Sequence, residues 1–445
     1  MGLPKAYYLL PPVLQSAVAS VHGFRLQRMR YGSDTGPLVA AARERETWTE
    51  SQWAAWREPR LRALLDRART LVPYYRDYWK GRSGWEDLAN WPLLEKTELR
   101  NQPRRFLADG CDPAKMYPER TSGSSGTPLT LWWSYRTVRE WYAMFEARWR
   151  NWYGVGRHDA WAILGGQLIT PIERRRPPYW VWNAGMNQLY MSSYHMTADA
   201  IPSYLDEIER RGIRYLFGYS SALATLASGA IQAGRKLKGL RVAITNAEPV
   251  HQYQRRLVEQ AFGCPLRETY GMAEIVAAAS ECESGSLHLW PEVGVLESHD
   301  GELIATGLFN TDMPLIRYRL GDRGIIAPKG TICTCGRALP VLAGLEGRVD
   351  QVLRGMSGQE VGRMDPVFKA DLPVLEAQII QTALDRILLR YVPAESFSQS
   401  TRDTLTREIR ARLGPVSVDF EQVERIPREA NGKFRAVICR IGGSA

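Results

Sequence analysis

Residues 215–274 read YLFGYSSALATLASGAIQAGRKLKGLRVAITNAEPVHQYQRRLVEQAFGCPLRETYGMAE. A short apolar run, Tyr215-Leu216-Phe217, stops at Gly218 and gives way to an Ala/Leu-rich helix over 221–233. A second strand at 240–245 ends in Asn246-Ala247-Glu248-Pro249 and leads into a helix over 250–262. A third strand at 265–269 runs into the polar Glu268-Thr269-Tyr270-Gly271-Met272-Ala273-Glu274. Upstream, the apolar 161–164 precedes Gly165-Gly166 in the same manner. Strands alternating with helices predict parallel pairing and an α/β core. Such sheets bind ligands beyond the carboxyl ends of their strands, where these polar segments fall.

Outward from this core the texture changes twice. Residues 1 to about 100 read as helical. Leu61, Leu64, Leu65, Ala68, Leu71 and Val72 keep helical spacing, and Val72-Pro73 ends the run. Trp48, Trp53 and Trp56 are read as packing residues. After about 290, short strands are expected at 301–306 and 315–320, then a Gly-rich passage over 344–362. The remainder reads as a small α+β unit with a helix near 398–413. The boundary falls near Arg348–Gln351, dividing the chain into 1–348 and 349–445.

The 445 residues are too many for one ordinary core. Hydrophobic residues at 44% and charged residues at 24% are globular values. No run of about 18 apolar residues exists, so no membrane-spanning helix is expected. The N-terminus lacks a signal-peptide pattern, because Pro11 and Pro12 break the apolar stretch after Lys5, and a cytoplasmic protein is expected. The net charge of +10 is spread along the chain, with one local run at Arg174-Arg175-Arg176. A nucleic-acid binder concentrates its charge on a recognisable module, and none is visible. A basic enzyme that attracts anionic substrates fits better.

The stretch Thr121-Ser122-Gly123-Ser124-Ser125-Gly126-Thr127-Pro128-Leu129-Thr130 carries six hydroxyls and two glycines. Glycine backbone approaches an anion closely, successive N–H groups form a concavity, and hydroxyls add donors. A polyphosphate is the natural guest. No Lys follows Gly126, so this is not a Walker A loop. A flexible Ser/Gly linker is the competing reading, against which Pro128 and the apolar Leu131-Trp132-Trp133 argue.

With this loop, 246–249, 268–274, the group Asp312, Arg317-Tyr318-Arg319 and Gly321-Asp322, and 427–435, the chain resembles the adenylate-forming superfamily of acyl-CoA synthetases, adenylation domains and luciferases. Within it, Glu281-Cys282-Glu283, Cys333-Thr334-Cys335-Gly336-Arg337 and Gly432-Lys433-Phe434-Arg435 resemble the phenylacetate–CoA ligase branch and its CapK-like set. The resemblance implies a large multilayer α/β domain with a smaller, mobile α+β C-terminal domain. It implies that a carboxylate attacks the α-phosphate of ATP, giving an acyl-adenylate and pyrophosphate, before a thiol displaces AMP.

The resemblance also implies roles. Ser122, Gly123, Ser124, Ser125, Gly126 and Thr127 would hold the β- and γ-phosphates, with Thr127 among the catalytic residues. Tyr270 would lie on the adenine, and Asn246, Ala247, Glu248, Pro249, Glu268, Thr269, Gly271 and Met272 would complete the nucleotide site. Asp322 would bind the ribose hydroxyls, Arg348 the ribose or a phosphate, and Glu274 Mg²⁺. Lys433 would sit at the α-phosphate and carboxylate. In the family the C-terminal domain rotates about a hinge, where two acidic residues often follow the arginine. Here the run is Arg348-Val349-Asp350-Gln351, so Gln351 departs from that pattern.

Cys282 and His288, spaced C-x5-H, and Cys333 and Cys335, spaced C-x-C, make two pairs of soft ligands for a closed Cys₃His zinc site. In a cytoplasmic chain, clustered cysteines point to metal rather than disulfides. Four unrelated residues remain the alternative. For the acyl pocket the candidates are Tyr142, Gly165, Gly166, Tyr194, Tyr219, Ser220, Gly271 and Ala273, which would admit an aryl or arylacetic acid. The acceptor is CoA, a carrier-protein thiol or an amine, and a homodimer is left open. A non-catalytic nucleotide-binding scaffold would lack the loop hydroxyls, Glu274 or Lys433, and all are present. A basic surface-binding protein would need clustered charge.

Overall fold

The computed structural model describes residues 5–121, 129–171, 173–346, 352–356, 358–361, 364, 367, 372–393, 397–424, 426 and 436–441. A six-stranded sheet runs in the order Trp180–Asn183, Gln188–Ser192, Trp161–Gly165, Tyr215–Gly218, Val242–Thr245, Leu266–Arg267. All its pairings are parallel except that of the edge strand Trp180–Asn183. Helices Ile201–Arg210, Ser220–Gln232 and Gln252–Phe262 cover one face. Their Leu205, Leu223, Leu226, Val258 and Phe262 bury against Ala162, Leu189, Leu216 and Leu266. The α/β expectation therefore holds.

A second, seven-stranded sheet is wholly antiparallel. Its order is Gly294–His299, Glu302–Gly307, Tyr318–Ile326, Val341–Glu346, Leu287–Leu289, Ala278–Glu281, Thr269–Gly271. The single strand expected over 265–269 is thus two. Leu266–Arg267 closes the parallel sheet, Thr269–Gly271 opens the antiparallel one, and Glu268 alone lies between. Apolar periodicity is blind to this switch, because both strands are buried. The strand expected at 315–320 is Tyr318–Ile326 instead.

The N-terminal hundred residues are helical as expected, with Pro12–Arg30, Thr35–Glu44 and Glu50–Leu71 the longest helices. The last begins at a capping box in which Thr49 accepts from the Gln52 amide. Trp48 and Trp56 pack edge-on against buried Trp53, in keeping with their reading as packing residues. Towards the C-terminus, Ser417–Gln422, Arg386–Pro393, Val374–Ala383 and Val437–Cys439 form a four-stranded sheet covered by helix Gln399–Leu413. It has its own apolar cluster, including Ile379, Leu389, Leu405 and Ile409, which also takes in Tyr194.

The helical layer is bolted to the antiparallel sheet by a buried charge cluster. Arg148 lies in a π-helical turn over Phe145–Arg150 and makes a two-pronged pair with Glu292, at 2.9 and 2.8 Å. Arg45 adds a third contact at 3.0 Å. Arg148 and Glu292 are essentially without solvent, and removing Arg148 leaves Glu292 only Arg45, so the loss approaches the about 3–5 kcal/mol of a broken buried pair. Arg148→Met is expected to lower stability by about that amount in chemical denaturation, whereas Arg148→Met/Glu292→Leu loses less.

Candidate active site

The carboxyl ends of the parallel strands converge as expected. Gly165 and Gly166 end one strand, Tyr219 and Ser220 follow another, and 246–249 follow Val242–Thr245. The Thr269 hydroxyl donates to the Thr245 carbonyl and ties 269–274 to the same edge. At 246–249 the carboxylate of Glu248 accepts from the Ser221 amide at 2.9 Å and the Ser220 hydroxyl at 3.2 Å, capping helix Ser220–Gln232. Its other oxygen and the Asn246 side-chain oxygen are buried with no hydrogen-bond partner. Two unsatisfied acceptors in this segment suit a ligand that brings donors, such as the exocyclic amine of an adenine.

Tyr270 and Asp322 come from different strands of the antiparallel sheet and meet. The Tyr270 hydroxyl donates to the Asp322 carboxylate at 3.0 Å. Asp322 is not a turn residue. It lies within Tyr318–Ile326, where the pairing with Glu302–Gly307 slips between Arg319 and Arg323. Gly321 adopts a φ of 75° in this irregularity, a left-handed backbone that glycine takes without strain. Bulges of this kind re-aim side chains beside active sites. Asp312, by contrast, pairs with Arg67 at 2.7 Å and serves the fold.

Glu274 is buried and accepts from the Tyr318 hydroxyl at 2.9 Å, while the Lys96 ammonium stands 3.5 Å away. Lys96 was not among the residues read from the sequence. It reaches Glu274 because Leu94 bridges Tyr318, with Leu94 N–H donating to the Arg317 carbonyl and Arg319 N–H to that of Leu94. No local pattern announces a contact over that sequence separation.

Glu268 marks the crossing between the sheets. Its amide donates to the Glu281 carboxylate at 2.7 Å, and the Glu281 amide donates to its carbonyl at 3.0 Å. Burial, and then the Glu281 charge, push the Glu268 carboxyl up to about 7, against the pull of Arg255 and the Val250 amide.

The acyl-pocket candidates divide. Gly165 and Gly166 accept from Ser193 and Tyr194 through their carbonyls, at 3.1 and 2.7 Å. Tyr219 and Ser220 are at the strand end, and Gly271, Met272 and Ala273 lie by Tyr270. Tyr194, however, is buried in the C-terminal cluster, with Arg412 over its ring. Tyr142 packs against Tyr31 and Phe145 under Arg30. On helix Tyr135–Met144, which carries Tyr142, the neighbour of Gly271 is Trp141, whose ring would stand 3.9 Å from a Cβ there. Consecutive helical residues point about 100° apart, which separates the two. Trp141, Phe145, Trp149, Phe217 and Trp290 stack into one aromatic wall.

Residues 122–128, Arg348, Gln351 and Lys433 lie outside the described residues. The flanks of the first segment are paired: Tyr117–Arg120 and Thr130–Trp133 form an antiparallel ladder, closed by Thr121 N–H to the Leu129 carbonyl at 3.1 Å.

Cys282, His288, Cys333 and Cys335 gather with all four ligand atoms within 4.8 Å of one another. The sulfurs of Cys282 and Cys333 are 3.7 Å apart, and Cys335 Sγ is 3.3 Å from His288 Nε2. A tetrahedral zinc with Zn–S of about 2.3 Å and Zn–N of about 2.0 Å requires edges near 3.8 and 3.5 Å. The His288 Nδ1 faces the Leu339 carbonyl at 2.9 Å, which turns Nε2 to the cluster. Burial raises the Cys282 thiol. At Cys333 burial is outweighed by hydrogen bonds from Ser286, Cys335 and His288, which lower it.

The AMP-binding enzyme family model matches residues 114–301, and the CapK C-terminal domain model matches 356–440. The chain is a CapK-like member of the phenylacetate–CoA ligase branch of the adenylate-forming superfamily. Protein CapK of Staphylococcus aureus is 25% identical over 361 residues, covering 79% of this chain and 80% of its own. A phenylacetate-coenzyme A ligase of Thermus thermophilus is 23% identical, covering 89% and 98%. A crystal structure of 2-hydroxyisobutyryl-CoA ligase in the thioesterification state superposes with a TM-score of 0.55 at 19% identity, over 89% and 91% of the two chains. At that identity the likeness is one of fold. In this CapK-like chain, no described helix is long and apolar enough to cross a membrane.

The raised Glu268 carboxyl has a sign that can be checked. The fold keeps it protonated towards neutral pH while the unfolded chain ionises near 4.5, so stability falls as pH climbs between about 4.5 and 7. Glu268→Gln is expected to match the parent in thermal melts at about pH 5 and to exceed it at about pH 8, by roughly 1–3 kcal/mol.

Proposed function

We propose that this chain adenylates a carboxylic acid with ATP, releasing pyrophosphate, and passes the acyl group to CoA. The observation that carries the reading is the meeting of Tyr270 with Asp322, residues 52 positions apart, with both resemblance-derived nucleotide contacts now at one place. The unpartnered acceptors of Asn246 and Glu248 support it. In this reading Tyr270 presents its ring to the adenine. Asp322 accepts from the ribose hydroxyls, with Tyr270 holding the carboxylate in place. Asn246 and Glu248 take the adenine edge.

The hydroxyls of 122–127 grip the terminal phosphates, and Lys433 carries a point charge to the α-phosphate and attacking carboxylate. Glu274 is the carboxylate suited to Mg²⁺, a hard cation that neutralises phosphate charge when bound. Lys96 and the Tyr318 hydroxyl keep this buried carboxylate from standing alone. The aromatic wall around Trp141 and Trp290 and the small residues Gly271 and Ala273 favour a flat aryl or arylacetic acid. A small C-terminal domain of residues 349–445, turning near Arg348–Gln351, would bring Lys433 in.

Carboxylate-dependent ATP–pyrophosphate exchange across aryl, arylacetic, fatty and amino acids tests the reading. Exchange with an aryl acid, followed by thioester formation with CoA, is the expected result. A folded, ATP-binding protein with no exchange overturns adenylation. Asp322→Ala is expected to raise the KM for ATP about tenfold or more, since hydrogen bonds to a charged group contribute about 1.5–3 kcal/mol. An unchanged KM removes Asp322 from the ribose.

We further infer that Cys282, His288, Cys333 and Cys335 hold a structural zinc ion, as their spacing suits four-coordinate geometry with no ligand position left for water. Metal analysis of purified protein is expected to give about one equivalent of zinc, and Cys333→Ser to lower both the metal content and the melting temperature. A well-folded protein with only a trace of zinc overturns this.

A further inference from the structure

Over residues 13–24, helix Pro12–Arg30 leaves its larger apolar side chains exposed and seats small and polar ones inward, while Met29 near its end packs against the core. Ser16 accepts from the Trp182 amide at 3.2 Å, and Ser20 accepts from the Ala184 amide at 3.0 Å. Gly23 and Gly185 let the backbones touch: a Cβ on Gly185 would stand 2.3 Å from the Phe24 nitrogen. This seat on the edge strand Trp180–Asn183 consumes the hydrogen-bonding face of the helix. On the other side Val13, Leu14, Val18, Val21 and Phe24, with Leu9 just before the helix, are half to almost fully exposed. Seated residues at 16, 20 and 23 and exposed ones at 14, 18 and 21 each repeat at three or four, so these are two opposed helical faces.

Basic groups bracket this apolar strip. Because the helix and 182–185 run in the same direction, Arg174-Arg175-Arg176 falls at its beginning, where Tyr8 donates to the Leu168 carbonyl at 2.9 Å. Arg175 and Arg176 are exposed, and no carboxylate pairs with this triad among the described residues. Arg25 and Arg28 are exposed at the far end. An apolar strip between unpaired arginines is the pattern of a helix that lies in a lipid headgroup layer. A second copy would instead bring two chains of charge +10 and their arginines together.

We propose that the outward face of helix Pro12–Arg30, with Arg175 and Arg176, docks this protein onto an anionic lipid bilayer. The helix lies flat with Val18, Val21 and Phe24 in the acyl boundary and the arginines at the headgroups. None of Val18, Val21, Phe24, Arg175 and Arg176 is among the residues assigned to the nucleotide or the acid, so the docking does not rest on the proposed reaction.

The test is sedimentation of the full chain with vesicles of phosphatidylcholine alone or mixed with phosphatidylglycerol. The protein is expected to pellet with the mixed vesicles and to be released by salt. Val18→Asp/Phe24→Asp, which changes only exposed positions, is expected to cut the bound fraction about tenfold with an unchanged melting temperature. Arg175→Ala/Arg176→Ala is expected to weaken binding to the mixed vesicles alone. Three results overturn the proposal: no pelleting with either vesicle, equal pelleting of the aspartate variant, or a dimer in light scattering that the aspartate variant dissociates. The last assigns the face to a second copy of the chain.

Discussion

Everything around Tyr270 depends on the chain changing sheets at a single residue. Leu266–Arg267 is the last parallel strand, Thr269–Gly271 is the first antiparallel one, and Glu268 is all that separates them. Such a crossing has no spare length to absorb error. It is held by Glu281, whose buried carboxylate takes the Glu268 amide at 2.7 Å and Arg255 at 3.1 Å. One sheet can therefore deliver strand-end polar groups, the other can deliver Tyr270 and Asp322, and the two sets meet.

The pairing of Thr269–Gly271 with Ala278–Glu281 also joins two chemistries. Tyr270 faces Ala279 across the ladder, and Cys282 follows directly on Glu281. The cysteine cluster and Glu274 thus lie towards opposite ends of the same two strands. At one end the hairpin Ala278–Leu289 is tied to the following strand, with Leu287 and His288 paired to Leu342 and Val341 and the His288 ring against the Leu339 carbonyl. Arg317 performs a similar service on the far side. It donates to the carbonyls of Ala89 and Trp91 and keeps the helical N-terminal segment, with Lys96, against Tyr318.

The α/β core was legible because strand, turn and helix follow one another within residues 161–262, and local pattern suffices there. The gathering of Cys282, His288, Cys333 and Cys335 was legible from residue type and spacing, since soft ligands in two close pairs are the pattern of a four-coordinate site. What escaped reading was set by distance in sequence. The split at Glu268 is invisible where both strands are buried. The slip that aims Asp322 belongs to a pairing, not to a segment. Lys96 carries no motif and reaches Glu274 through a bridge between Leu94 and Tyr318. Tyr142 and Trp141 differ only by one helical step, and composition favours neither. The mounting of helix Pro12–Arg30 was missed for a related reason. Its serines and glycine look like an indifferent face until the edge strand that binds them is in view.

That mounting has a consequence in time. The helix is complete by Arg30, but its seat includes Gly185. At about 5–20 residues per second, a ribosome takes roughly eight to thirty seconds to make the chain between them. Throughout that interval the nascent helix has neither its strand nor, on its outer side, any internal partner. Until Gly185 has been made the helix has nothing to seat against, and its apolar residues are already on display.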